Sequence, residues 1–150
     1  MHHLEGKTVN ILADGNVIKN KVVVNGSVSL TQPASRVIVG LAYRSTAKNM
    51  PLSVASTAVD NKVKRITALA LRVRRARGIM AGTALDALYA IKPRGGEFYG
   101  EANKLKDGTF ILAVEPTWNL DVSSYIVQDD PLPITILGYT TEAEIGDDPD

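Results

Sequence analysis

The chain has 150 residues, 45% hydrophobic and 22% charged, with a formal net charge of +1: one globular domain's worth of chain, without a long-range field to steer it to nucleic acid or membrane. It holds no cysteine, which excludes a disulfide framework and a thiolate zinc site. Aromatics are only 5%, so the core is expected from Val, Ile, Leu and Ala. The apolar runs are far too short for a membrane-spanning helix, and Met1 to Gly6 lacks the basic-then-apolar pattern of a secretory signal.

Thr8 to Ala13 alternates, with Val9, Ile11 and Ala13 on one side and Thr8, Asn10 and Leu12 on the other. Asp14-Gly15 supplies the positive φ values of a two-residue type I′ turn, and Asn16-Val17-Ile18 returns antiparallel. Asp14 therefore reads as a turn former rather than a catalytic carboxylate. Lys21 to Val24 is a β-branched run, Asn25-Gly26 is a second hairpin signal, and Ser27 to Leu30 alternates again. Gln32-Pro33-Ala34-Ser35 breaks the chain. Arg36 to Tyr43 sets Val37, Val39, Leu41 and Tyr43 on one face, and Gly40 within it signals a bulge or a close backbone approach.

Arg44 to Asn61 is polar and small, and reads as an extended connection with Pro51-Leu52 pinned against the sheet. Asn61 to Gly82 is ambiguous. With period two, Thr67, Leu69, Leu71 and Val73 share a face; with helical period, Ile66, Leu69, Ala70 and Val73 form a stripe. Thr83 to Ile91 carries the same ambiguity between strand and helix: Thr83-Ala84-Leu85-Asp86 imitates a capping box, with Asp in place of Glu or Gln, so a short helix is one of the two readings. Pro93-Arg94-Gly95-Gly96 ends that element. Lys106-Asp107-Gly108 reads as a turn, Thr109 to Val114 as a strand interrupted by Glu115-Pro116, and Ser124 to Val127 as another short strand. Asp129 to Pro133 is extended by its prolines. Ile134 to Thr140 alternates, and the last ten residues, with five carboxylates, are expected to fray.

Chemistry is hard to assemble from this inventory. The only histidines are His2 and His3, at an end expected to fray, and no Gly-x-Ser-x-Gly elbow or phosphate-binding glycine loop is present. Asp129 and Asp130 are adjacent, so on an extended chain they face opposite ways. Glu97, Glu101 and Glu115 sit near turns. Asp147, Asp148 and Asp150 lack the glycine-centred loop of a calcium hand. The expectation is a protein that is not an enzyme, with no cofactor and no metal site.

Seven basic residues fall between Lys62 and Arg77, a footprint suited to phosphate. On a regular strand they divide, with Arg65, Arg75 and Arg77 one way and Lys64, Arg72 and Arg74 the other. No aromatic residue interleaves them for base stacking. A solvated edge, or a subunit contact with a neighbour's acidic tail, suits them better. Trp118, the sole tryptophan, serves a core corner, an interface or a sugar platform. Arg72, Arg74, Arg75, Arg77 and Trp118 are the candidate interaction residues. DNA contact requires the arginines on one open face. A core-and-interface role requires Trp118 buried and the arginines dispersed or paired with acids.

The order of these segments resembles the tail tubular (nozzle) proteins of short-tailed bacteriophages. The likeness lies in "HLEGKTVNILADG", in "NGSVSLTQPASRVIVGLAY", in the arginine-bearing "KRITALALRVRRARG" and in "DDPLPITILGYTTEAEIG". It is much weaker from Thr83 to Asp121. It implies strand for Arg65 to Arg74, and a structural virion protein assembling in a ring around the tail channel. Family members are longer, so the chain corresponds to one domain of such a protein.

The expectation is thus an all-β fold, mainly antiparallel and sheet- or barrel-like, with little helix. It forms a single domain over 1–150, with a hairpin sub-unit at 4–43 and an acidic frayed tail at 141–150. The resemblance implies a tail component in the virion, in the host cytoplasm during assembly. Its partners would be other phage tail proteins and further copies of itself, with non-specific DNA contact and no membrane. The rival is a carbohydrate- or nucleic-acid-binding β module.

Overall fold

The computed structural model describes residues 1–53, 62–92 and 104–146. The first hairpin forms as its turn chemistry demands. Asp14 and Gly15 take φ of 45° and 83°, the left-handed pair that a I′ turn needs. They join β1 (Thr8–Ala13) to β2 (Asn16–Val22). The ladder bulges at Asn20, whose φ is 57°. There the Asn20 N–H donates to the Asn10 side-chain oxygen at 3.2 Å, so a buried amide replaces the missing backbone partner. β3 (Val37–Leu41) adds to the other side of β1 without a register shift. Gly40 therefore marks no bulge, and a Cβ built there meets nothing within 4 Å, so no backbone approaches closely either.

Asn25-Gly26 also forms a tight turn, with φ of 52° and 68°. It closes only the isolated Val24–Ser27 bridge, and Ser27 to Leu30 is irregular rather than strand. This segment instead covers the sheet. Val28, Leu30 and Ala34 pack with Leu4, Ile18 and Val39 on the buried Val9, Ile11, Ala13 and Val23.

The remaining strands build a sandwich. One sheet runs β10 (Ile136–Ile145), β5 (Lys64–Ala76), β8 (Lys106–Ala113). The other runs β4 (Ser45–Lys48), β9 (Tyr125–Gln128), β6 (Ile79–Ala84), β7 (Ala87–Ala90). Ile66, Leu69, Leu71 and Val73 of β5 meet Ile79 and Ala81 of β6 in one core, with Val114 and Val122. All pairings are antiparallel. Among the described residues the fold is all-β in three sheets, none of which closes into a barrel. Among the described residues the only helical turn is a 3-10 segment at His2–Leu4.

Several expectations change. The ambiguous stretch 84–91 takes the strand alternative: β6 and β7 are a hairpin turning at Leu85-Asp86. Pairing of β6 with both β7 and β9 overrides the helix propensity of Ala and Leu. The connection after Arg44 contains β4, which pairs with β9; Leu52 is pinned, its N–H donating to Val122 at 3.0 Å. Lys106 to Gly108 lies inside β8 rather than in a turn. Thr141 to Ile145 does not fray, because it pairs with Leu69 to Lys64 along β5. Pro93 to Gly96, Glu97, Glu101 and the Asp147 to Asp150 stretch lie outside the described residues.

Candidate interaction surface

β5 carries the basic residues, and a bulge decides which way they point. Ala143 pairs with Ile66 and Glu142 with Ala68, leaving Thr67 as the extra residue. The buried series accordingly passes from Lys64 and Ile66 to Leu69, Leu71 and Val73, a spacing of three where a regular strand gives two. The predicted division of charges is thereby corrected. Arg65, Arg72 and Arg74 share the outer face, while Lys64 turns inward and donates its Nζ to the Leu120 carbonyl at 3.3 Å.

That outer face is mixed. Arg72 and Arg74 are exposed, at the end where β5 pairs with Gly138 and Thr109. Its middle is small and apolar, with Ala70 between Thr140 and Ile111. At the far end the Arg65 Nε and Nη2 hold the Glu144 carboxylate at 2.8 and 2.5 Å. The Arg65 guanidinium also lies 4.7 Å from the centroid of the Trp118 ring. Trp118 is 44% exposed, so it is neither buried nor open on both faces.

Arg75 and Arg77 leave this face. Arg75 adopts a φ of 47° at a second irregularity, where its N–H donates to Asp107 Oδ1 at 2.8 Å. Arg77 is buried at the corner where the chain crosses between the sandwich sheets. Its guanidinium reaches the Gly15 carbonyl. Within this chain it joins two sheets, and it does not share the outer face with Arg72 and Arg74.

The carboxylates are employed structurally. Asp14 accepts the Ser35 and Arg36 N–H groups at 2.8 and 2.7 Å. Those two bonds, Ser35's first, hold its carboxyl below the ordinary value. Glu5 braces the second turn by accepting the Asn25 and Gly26 N–H groups at 2.8 and 2.7 Å. Asp129 and Asp130 bridge the N-terminal sheet and the sandwich. Lys19 Nζ lies 2.5 Å from Asp130, and Arg44 Nε lies 3.2 Å from Asp129. Asn10 donates to the Asp129 carbonyl at 3.4 Å. Among the described residues no three His, Cys, Asp or Glu side chains are placed to hold a metal ion.

Two open clefts lie against the N-terminal sheet. One of about 390 Å³ lies between Asn10, Lys19, Tyr43, Arg44 and Asp129. The other, about 510 Å³, lies between the Asp14 turn, Ile18 and Thr31 to Ala34. Neither brings acids together in the manner of a hydrolase. The feature that sequence reading missed is the contrast between strand edges. β3 is uncharged and exposes Val37, Ile38 and Leu41, and β10 shows Ile136, Leu137 and Tyr139 to solvent; among the described residues no strand pairs with the outer edge of either. The signal was present in "VIVGL", an apolar run without a lysine. Comparison with protein-family models finds no match, and comparison with curated proteins finds none.

Proposed function

We propose that this chain is a structural component of a short-tailed bacteriophage tail, a β domain that works by packing against neighbouring tail proteins, with no chemical step. The segment order described above supplies the tail assignment. The observation that carries the assembly mechanism is the pair of apolar-bearing edges at β3 and β10, which no strand among the described residues covers. Such edges invite another strand. The partners in this reading are other tail proteins and further copies of the chain, met in the host cytoplasm and kept in the virion.

Quantitative mass spectrometry of purified phage particles, with co-sedimentation against the other tail proteins, tests this reading. The expected result is the chain at fixed stoichiometry in particles and bound to at least one tail protein. Absence from particles, together with no binding to any tail component, overturns it.

One observation favours a second reading. Arg72 and Arg74 share an open face, and no ion pair engages their side chains among the described residues. Non-specific phosphate contact fits that placement. It predicts DNA binding that weakens steeply with salt and that Arg72→Ala with Arg74→Ala abolishes. The sugar-binding alternative is less well served, because Arg65 already covers the Trp118 ring.

A further inference from the structure

The two edges of the N-terminal sheet are unlike. β2 carries Lys19 and Lys21 and is broken by the bulge at Asn20. These devices keep a strand edge from pairing with another chain. β3 has neither: Val37-Ile38-Val39-Gly40-Leu41 is uncharged and pairs regularly with β1. Val37, Ile38 and Leu41 remain 42%, 53% and 57% exposed.

One hydrogen bond fixes where the β3 backbone points. The Asp14 N–H donates to the Arg36 carbonyl at 2.9 Å, and these two residues continue the β1–β3 register. Bonded and unbonded positions alternate along an antiparallel ladder. Arg36, Ile38 and Gly40 therefore turn their N–H and C=O groups toward β1. Val37, Val39 and Leu41 turn theirs to the free edge, in a set symmetric about Val39.

We infer that β3 is a homodimer edge, on which a second copy of this chain lays its own β3 antiparallel, with Val39 on the two-fold axis. This rests on the reading of the chain as an assembly module and names the partner. In that register Val37 faces Leu41 of the second copy and Val39 faces its counterpart. Every outward backbone group of the three residues is then paired. On the opposite face Ile38 lies across from Gly40 of the second copy, where a Cβ meets open space. Arg36 lies across from an alanine, so no like charges oppose directly. The two sheets become one of six strands, and the contact is isologous, the commonest symmetry for a self-association. Five-residue strands bury less than the ~1,200 Å² of a stable interface, so the dimer forms in a concentration-dependent way.

The chain has no cysteine, so introduced thiols report cleanly. A bonded antiparallel pair sets its Cα atoms about 5.5 Å apart, within disulfide range. Under mild oxidation Val39→Cys is expected to cross-link to itself. Val37→Cys and Leu41→Cys are expected to link when mixed and not singly. Sedimentation is expected to show dimers whose affinity falls at least tenfold in Ile38→Lys, with circular dichroism unchanged. A monomer at millimolar concentration overturns the inference, as does a dimer that Val39→Cys does not trap or Ile38→Lys does not weaken. So does a monomer whose β3 takes up only another tail protein. Those outcomes leave the virion reading to its own test on purified particles.

Discussion

The Arg77 Nη2 donates to the Gly15 carbonyl at 2.5 Å, across 62 positions of sequence. It fastens the corner of the sandwich to the turn of the first hairpin. The Arg77 carbonyl in turn accepts the Gln128 Nε2 at 3.0 Å, and the same nitrogen also donates to the Leu132 carbonyl at 3.0 Å. Removing the side chain discards a charge-assisted bond and a buried stem. Arg77→Ala is expected to cost about 2–3 kcal/mol in urea unfolding. Arg74→Ala, on the open face, is expected to stay within about 0.5 kcal/mol.

Gly78, beside Arg77, has a φ of 74°, and a Cβ there lies 2.9 Å from the Asp130 Cβ. Gly6 has nearly the same φ, 70°, but nothing within 4 Å. Both alanine variants pay the left-handed penalty of roughly 1–2 kcal/mol. Gly78→Ala must also displace Asp130, which Lys19 holds. Its thermal midpoint is expected below that of Gly6→Ala, and equal midpoints would show that the Asp130 loop yields freely.

Asp14 gives a pH signature. Its carboxyl sits below the ordinary 3.8 because the folded chain donates two N–H bonds to the charged form. Its contribution is therefore fully present above the unfolded value and is lost as pH falls through the lower folded value. Asp14→Asn keeps a residue tolerant of positive φ. The stability gap between the wild type and Asp14→Asn is expected to be constant above about pH 5 and to close below about pH 4. A gap that widens toward acid pH would contradict the assignment.

The hairpin at Asp14-Gly15 was legible because a two-residue I′ turn needs particular residues whatever surrounds it. The faces of β5 were not. Nothing in "KRITALALRV" marks Thr67 as the bulge; that choice is made by pairing with Glu142 and Ala143, 75 residues away. β4 was invisible for a similar reason: Ser45-Thr46-Ala47-Lys48 has no apolar alternation, and its strand character comes from the β9 backbone. The burial of Arg77 follows from the approach of two sheets, which local pattern does not encode. The five candidate residues thus separate into an open pair, Arg72 and Arg74, a residue at a strand irregularity, Arg75, a buried tie, Arg77, and a half-covered ring, Trp118.

That ring supplies a direct readout, since Trp118 is the sole tryptophan and its emission reports one corner alone. The Arg65 guanidinium covers one face of the indole while gripping Glu144. Exposed pairs and cation–π contacts of this kind contribute about 1 kcal/mol or less. Arg65→Ala is therefore expected to leave the unfolding midpoint nearly unchanged while making Trp118 more quenchable by acrylamide. Glu144→Gln loosens the guanidinium without removing it, so its quenching is expected to fall between wild type and Arg65→Ala. If both variants quench like the wild type, the arginine does not shield the ring in solution, and the Trp118 face is open to a ligand after all.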